Sequence, residues 1–334
     1  MPNKKVILRA DGNSEIGMGH FYRTLALGEM LKNDFECIFA TQTPVRQQIN
    51  ELKKTFGNLI NLPANDTHFN QFLNHLNGNE IVVLDNYYFD TSYQKKIKDK
   101  GCKLVCIDDI HDKHYVADIV INHAPGLNKS VFSTENYTKL LLGLDYTLLR
   151  KDFLSENKEK KVIENFKNML ILFGGADKFN LTLKYLELVS RIKSFSKINI
   201  ITGSAYLFNQ ELHSFIKASH KDIIHNHSIT PKKIIKIMDA VDVAISPAST
   251  VLYELISRRV PVISGYYVNN QMSIYKGFLS KGLIIDGGDL NQPQKFTQII
   301  ENLSKYSLNK IIDKEKSAID FNSDKRIIEA FKTL

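Results

Sequence analysis

The sequence predicts an α/β protein of two domains, each a parallel sheet wrapped by helices. Three observations carry this. At 334 residues the chain exceeds one typical domain. Short runs of Val, Ile and Leu recur from end to end and are continuous rather than alternating, as strands buried on both faces require. Longer amphipathic stretches lie between them, and a repeated β–α order makes neighbouring strands parallel.

In the first half, residues 6–10, 37–40, 81–85, 104–108 and 119–122 read as buried strands. Phe21, Leu25, Gly28 and Leu31 share one face of a helix that follows the first of them. In the second half the strands fall at 169–173, 198–202, 243–246, 260–264 and 283–286. Leu252, Leu255 and Ile256 line the inner face of the helix after the third. The polar, Lys-rich segment 155–167 separates the two sets, so the domains are expected at 1–154 and 155–334. Two Rossmann-like domains joined this way place the carboxyl ends of both sheets towards a central cleft, where open α/β sheets bind ligands. The charged stretch 291–334 reads as peripheral helices, the last of them crossing back onto the first domain. No internal repeat or low-complexity tract interrupts this order.

An apolar content of 43% suffices for packed cores. The net charge of +8 comes from lysines spread along surface-type segments, with no arginine-rich block. It marks solvated helix faces or a phosphate-bearing small molecule, and no nucleic-acid partner is expected. Cys37, Cys102 and Cys106 lie inside apolar runs and lack zinc-type spacing, so they read as core residues of a reducing compartment. With no apolar leader pattern and no run of about 18 apolar residues, a cytoplasmic protein without a membrane span is expected. Oligomeric state is not legible.

The first strand runs into ADGNSEIGMGHFYRT. Asp11, Gly12, Asn13, Gly17 and Gly19 make a permissive loop whose backbone can approach a ligand. His20 and Arg23 follow one turn apart at a helix start, where N–H groups favour anions. Imidazole titrates near neutrality, so His20 suits general-base work. The competing reading is that the glycines only turn the chain and His20 is a cap. GMGHFY lacks the last glycine of a dinucleotide fingerprint, and no bound cofactor is expected. Asp85 and Tyr87 follow the strand at 81–85, where a sugar can be bound; Asp85 reads equally as a cap for local amides. Asp108, Asp109 and His111 form a third cluster, and adjacent aspartates rarely converge on one ion. A structural or domain-closing role is the better reading, and no metal site is expected.

In the second half, Gly174 and Gly175 turn the chain after a strand, and an amide there can meet a pyrophosphate. Ser249 and Thr250 open a helix and read either as phosphate ligands or as N-caps. Glu254 lies one turn further on, placed for a ribose hydroxyl pair. Asn269, Asn270 and Gln271 follow another strand and can bind sugar hydroxyls, position water or simply form a loop.

Together these segments resemble the UDP-2,4-diacetamido-2,4,6-trideoxy-β-L-altropyranose hydrolases of pseudaminic acid biosynthesis. The resemblance rests on RADGNSEIGMGHFYRTLALGEML with its GxGHxxR arrangement, VVLDNYY, LVCIDD, LLLGLDYTLLRKDF, LFGGAD, ISPASTVLYELI and the NNQ step, and reaches to about Asp286. The second-half pattern is shared more widely with GT-B glycosyltransferases. The resemblance implies a GT-B fold with UDP held by the C-terminal domain and metal-independent C–O cleavage at the anomeric carbon. It implies that His20 activates water, that Tyr87 and Asn270 position substrate or water, and that Glu254 contacts ribose. Ser249 and Thr250 would contact the phosphates. A GT-B glycosyltransferase and a non-catalytic nucleotide-sugar binder are the alternatives. The chain contains no Trp, and its early loops show no apolar membrane-docking surface of the kind such transferases often carry.

Overall fold

The computed structural model describes residues 4–13, 15–155 and 162–334. Of the Lys-rich boundary segment, residues 156–161 lie outside the described residues. The chain divides into two compact units. The first comprises Met1–Gly12, His20–Lys151 and Phe321–Leu334, and the second Asn13–Gly19 and Asp152–Asp320.

The first unit contains β1 (Lys5–Ala10), β2 (Glu36–Gln42), β3 (Leu59–Leu62), β4 (Ile81–Asp85), β5 (Lys103–Ile107), β6 (His114–Tyr115), β7 (Ile119–Asn122), β8 (Ser133–Thr134) and β9 (Lys139–Leu142). Seven of these form one all-parallel sheet in the order β3-β2-β1-β4-β5-β7-β9, while β6 and β8 pair separately. β1 and β4 occupy the middle and are almost wholly buried, which explains their uninterrupted apolar sequences. The order reverses between them: the chain steps outward to β3, then returns to β4 on the other side of β1. That reversal leaves a crevice beyond their carboxyl ends.

Helix Gly19–Leu31 leaves this crevice and lies against β1. Gly28 is what allows the close approach, because a Cβ there would come within 2.5 Å of Leu8 Cδ1 and 2.6 Å of Phe56 Cζ. The C-terminal helix Ser323–Lys332 also packs in the first unit. Phe331 meets Phe35 with ring centroids 6.2 Å apart, Lys332 pairs with Asp34 at 3.2 Å, and Arg326 donates to the Asp145 carbonyl.

The second unit carries β10 (Asn168–Ile171), β11 (Lys197–Thr202), β12 (Asp222–His227), β13 (Val243–Pro247), β14 (Val262–Tyr266) and β15 (Ile285–Asp289), paired in parallel in the order β12-β11-β10-β13-β14-β15. Its reversal falls between β10 and β13. Both units are therefore Rossmann-like, and the chain has the α/β, GT-B class of fold. No helix among the described residues is long and apolar enough to cross a membrane, and the three cysteines are free and buried.

The ten strands read from sequence are all present. Of the five additional strands, β3, β9 and β12 each lie at the edge of a sheet, and β6 and β8 form a separate pair. An edge strand is covered on fewer sides and can carry polar residues, so its sequence lacks a continuous apolar run. The DIIHNH of β12 shows this: its residues are mostly exposed or half-buried.

Replacing Gly28 with Val should therefore overpack the junction of β1 and its helix and destabilise the protein by about 1–3 kcal/mol. Denaturant unfolding checks this as a lower midpoint at unchanged slope; an unchanged midpoint would contradict the packing described.

Candidate active site

The first site stands on the reversal point of the first sheet. Its centre is Arg23, on the first turns of helix Gly19–Leu31, with its side chain buried. A buried guanidinium requires acceptors for its fork of N–H groups. Asp85, the last residue of β4, supplies two: Arg23 Nε donates to Oδ2 at 2.7 Å and Nη2 to Oδ1 at 2.5 Å. Asp109 supplies a third, accepting from Nη1 at 2.8 Å. Thr24 Oγ1 donates to Asp85 Oδ2 at 2.8 Å. Burial alone would raise the Asp85 pKa. The charge of Arg23, then that of His20, and the bonds both make outweigh it and hold the carboxyl well below its usual range.

His20 is fixed by the same carboxylate, with Nδ1 2.7 Å from Asp85 Oδ1. An ionised carboxylate only accepts, so Nδ1–H donates, and in the neutral ring the lone pair is then on Nε2. Arg23 Nη2 lies 3.0 Å from Nδ1 because both donors converge on one oxygen. Tyr87 packs edge-on against the imidazole, with ring centroids 4.6 Å apart, and its hydroxyl donates to Asp109 Oδ2 at 3.1 Å. In formal charges the cluster has one guanidinium and two carboxylates around the histidine. His123 stands behind Arg23. Its own burial, then the Arg23 charge, push its pKa down to about 3, and its Nδ1 accepts from the Leu148 amide.

Asp11 belongs to a neighbouring knot. Its carboxylate accepts from Arg9 at 2.6 Å, Thr41 Oγ1 at 3.0 Å and the Gln42 amide at 2.6 Å, and also from the Tyr88 hydroxyl. Arg9 further contacts His68 Nδ1 at 3.2 Å, and His68, pushed down by burial and by the Arg9 charge, has a pKa of about 4. The knot ties β1 to β2 and to the segment after β4, which carries Tyr87. Asp11, Arg23 and Asp85, expected from sequence as ligand contacts, thus have polar atoms engaged by protein groups. Of the three, Asp85 contacts His20 directly through its Oδ1, and Asp11 is joined to Tyr88 rather than Tyr87.

Asp108 and Asp109, adjacent in sequence, part company. Asp108 accepts from the Ile110 and His111 amides, Tyr115 Oη and Asn122 Nδ2, which makes it a structural clasp. Asp109 faces Arg23 and Tyr87. The sequence reading missed Asp109 and Thr24 as site residues; the signal was present in the double aspartate at a strand end, with one residue turned to each side. Among the described residues, no group of three or more His, Cys, Asp or Glu side chains is placed to hold a metal ion.

Of the residues singled out in the second half, Gly174, Gly175, Ser249 and Thr250 follow β10 and β13, the two strands that flank the reversal of the second sheet. Gly174 has φ +86°, a conformation that favours glycine, and follows β10. A Cβ on Gly203, after β11, would lie 2.6 Å from Gly175 Cα, so these two turns meet backbone to backbone. Asp177 accepts from the Leu181 and Thr182 amides at 2.8 and 2.7 Å, and so caps helix Leu181–Ser190. The next helix start differs. Ser249 occupies the N-cap of helix Thr250–Ser257 in extended conformation without a side-chain cap bond, so its hydroxyl does not cap these helical amides. Glu254 is buried one turn along the same helix. Asn270 lies in the turn Asn269–Gln271, where Gln271 Oε1 accepts from the Tyr267 amide at 3.0 Å. Gly17 has φ +82° and pairs with Asn13 in an isolated bridge, and Gly19 starts the helix that carries His20.

No protein-family model matches the chain. It is 29% identical over 289 residues to the uncharacterized protein MJ1062 of Methanocaldococcus jannaschii, covering 83% of this chain and 58% of that one, so it spans little more than half of that relative. It is 26% identical over 293 residues to a UDP-2,4-diacetamido-2,4,6-trideoxy-beta-L-altropyranose hydrolase of Campylobacter jejuni, covering 84% of this chain and 98% of the other. It is also 27% identical over 290 residues to the spore coat polysaccharide biosynthesis protein SpsG of Bacillus subtilis, covering 84% and 82%. Among solved structures it is similar to MurG of Acinetobacter baumannii, with TM-score 0.64 and 12% identity over 99% of this chain and 100% of that one. It is likewise similar to the calicheamicin glycosyltransferase CalG4, with TM-score 0.64 and 9% identity over 100% and 98%. Anabaena HepE, solved with UDP, gives TM-score 0.62 and 12% identity over 99% and 100%. At such identities these structures support the fold alone.

Asp85→Asn should lower stability by about 3–5 kcal/mol at neutral pH, since it removes the opposing charge and one of the three acceptor oxygens around the buried Arg23. The Asp85 pKa is depressed on folding, so its contribution is complete above the unfolded value of about 3.9 and is lost as the pH falls below it. Unfolding measured across pH should show the wild-type advantage narrowing below about pH 4. A gap independent of pH would contradict this electrostatic assignment.

Proposed function

We propose that the chain hydrolyses a UDP-linked diacetamido-trideoxyhexose at the anomeric C–O bond, releasing UDP and the free sugar, 2,4-diacetamido-2,4,6-trideoxy-L-altrose, for pseudaminic acid biosynthesis. The observation that carries the reading is the His20–Asp85 bond. It leaves Nε2 as the basic nitrogen of a ring held against rotation by Tyr87. The Campylobacter relative bears a matching activity in its name and is covered over nearly its whole length.

In this reading His20 Nε2 takes a proton from water as the water oxygen bonds to the anomeric carbon. The C–O bond to the nucleotide breaks, and its electron pair leaves on the β-phosphate oxygen of UDP. The Tyr87 hydroxyl donates to Asp109, and in this reading Tyr87 helps position the substrate or the water. UDP is a good leaving group, so the protein need only steady the charge growing on its phosphate. That task falls to the second unit: the Gly174–Gly175 turn, Ser249, Thr250 and the amides that open helix Thr250–Ser257. Glu254 is assigned to the ribose, and Asn270 with Gln271 to the sugar. No metal step is required, and the protein acts as a cytoplasmic enzyme. Transfer to a sugar or lipid acceptor is the competing reading, because the solved structures it is similar to include glycosyltransferases.

UDP release from UDP-diacetamido sugars, in chelator and without acceptor, tests this directly. Wild type should turn over, and His20→Leu should lose about 10²- to 10⁴-fold in rate while still binding UDP. Turnover that appears only when an acceptor is supplied would move the assignment to a transferase.

A further inference from the structure

The contacts around His20 close into a ring. His20 Nδ1 bonds to Asp85 Oδ1 at 2.7 Å, Asp85 holds Arg23, and Arg23 Nη1 donates to Asp109 Oδ2 at 2.8 Å. The same Oδ2 accepts from the Tyr87 hydroxyl at 3.1 Å, and the Tyr87 ring returns edge-on to the imidazole, with centroids 4.6 Å apart. The imidazole is thus held at one nitrogen by a carboxylate and across its ring by a tyrosine. Asp109 is where the two arms meet.

An aspartate at a strand end commonly caps backbone amides. Asp108 does so for Ile110 and His111. Asp109, one residue on, accepts instead from two side chains and, among the described residues, from no amide. Its two partners need it differently. Arg23 is buried and already has both Asp85 oxygens as acceptors. Tyr87 is an exposed residue two beyond the end of β4. An exposed ring exchanges among rotamers, and a bond to an ionised acceptor, roughly twice as strong as a neutral one, selects one of them.

We propose that Asp109 is a positioning residue for the hydrolysis and acts through Tyr87. It holds the phenol ring against His20, so that the base and the side chain that helps place substrate or water keep one geometry. The inference rests on the reading of the chain as a UDP-sugar hydrolase. Neutralising Arg23 is the competing account of the same carboxylate.

A double-mutant cycle separates the two. UDP release by Asp109→Ala and Asp109→Asn is measured with and without Tyr87→Phe. With Tyr87 present, Asp109→Ala should lower kcat about ten- to a hundredfold, and Asp109→Asn, which keeps a neutral acceptor, about three- to tenfold, with KM little changed. Combined with Tyr87→Phe, neither should cost more than about twofold further. A loss as large without the Tyr87 hydroxyl as with it would assign the carboxylate to Arg23 and overturn the proposal. Asp109→Asn leaves acceptors for Arg23 and carries the cycle should Asp109→Ala fail to fold. Fluorine NMR of 3-fluorotyrosine placed at position 87 reads the ring without turnover, and its signal should move towards that of the free amino acid in the Asp109 variants. If it moves while wild type releases no UDP, Asp109 still holds Tyr87 and the hydrolytic reading fails. If the signal stays, or both Asp109 variants release UDP at the wild-type rate, hydrolysis stands and the positioning role fails.

Discussion

The Arg23 guanidinium, buried between Asp85 and Asp109, is the constraint on which the first unit's site depends. A guanidinium out of water must find acceptors, and those available lie at the ends of β4 and β5. Meeting that need draws a helix and two strand ends to one point and gives the Asp85 carboxylate a geometry it would not hold alone. His20 inherits its orientation from Asp85, and Tyr87 inherits its own from Asp109. The orientation of the histidine is therefore set by an ion network formed on folding.

The sheet topology explains why this network lies where it does. In the first unit the strand order reverses between β1 and β4, and the chain leaving β1 carries His20 and Arg23 while the end of β4 carries Asp85. In the second unit the reversal between β10 and β13 gathers Gly174, Gly175, Ser249 and Thr250 in the same way. In open α/β sheets the crevice at such a reversal is where ligands bind.

Much of this was legible in the sequence, for identifiable reasons. Central strands are buried on both faces, so the runs at 6–10, 81–85 and 243–246 announced themselves, whereas β3, β9 and β12 lie at sheet edges and carried no such signal. His20 was legible because it stands in a glycine-rich turn at a helix start. The direction of the Asp85 side chain was not, since strand-end position says that a carboxylate is near the site but not which groups engage it. The different roles of Asp108 and Asp109 depend on side-chain direction either side of a strand end, and only Tyr115, Asn122, Arg23 and Tyr87 in three dimensions separate them. Ser249 shows the reverse case. Residue type and position favour an N-cap, yet its side chain makes no cap bond, so capping propensity alone misjudged its contacts.

The most direct test of the account is the tautomer of His20, read by nitrogen-15 NMR of histidine-labelled protein at a pH where the ring is neutral. The account predicts the proton on Nδ1, bonded to Asp85, with Nε2 showing the shift of an unprotonated nitrogen. A proton on Nε2 would contradict it, since the lone pair would then face Asp85 and the ring could not serve as the base.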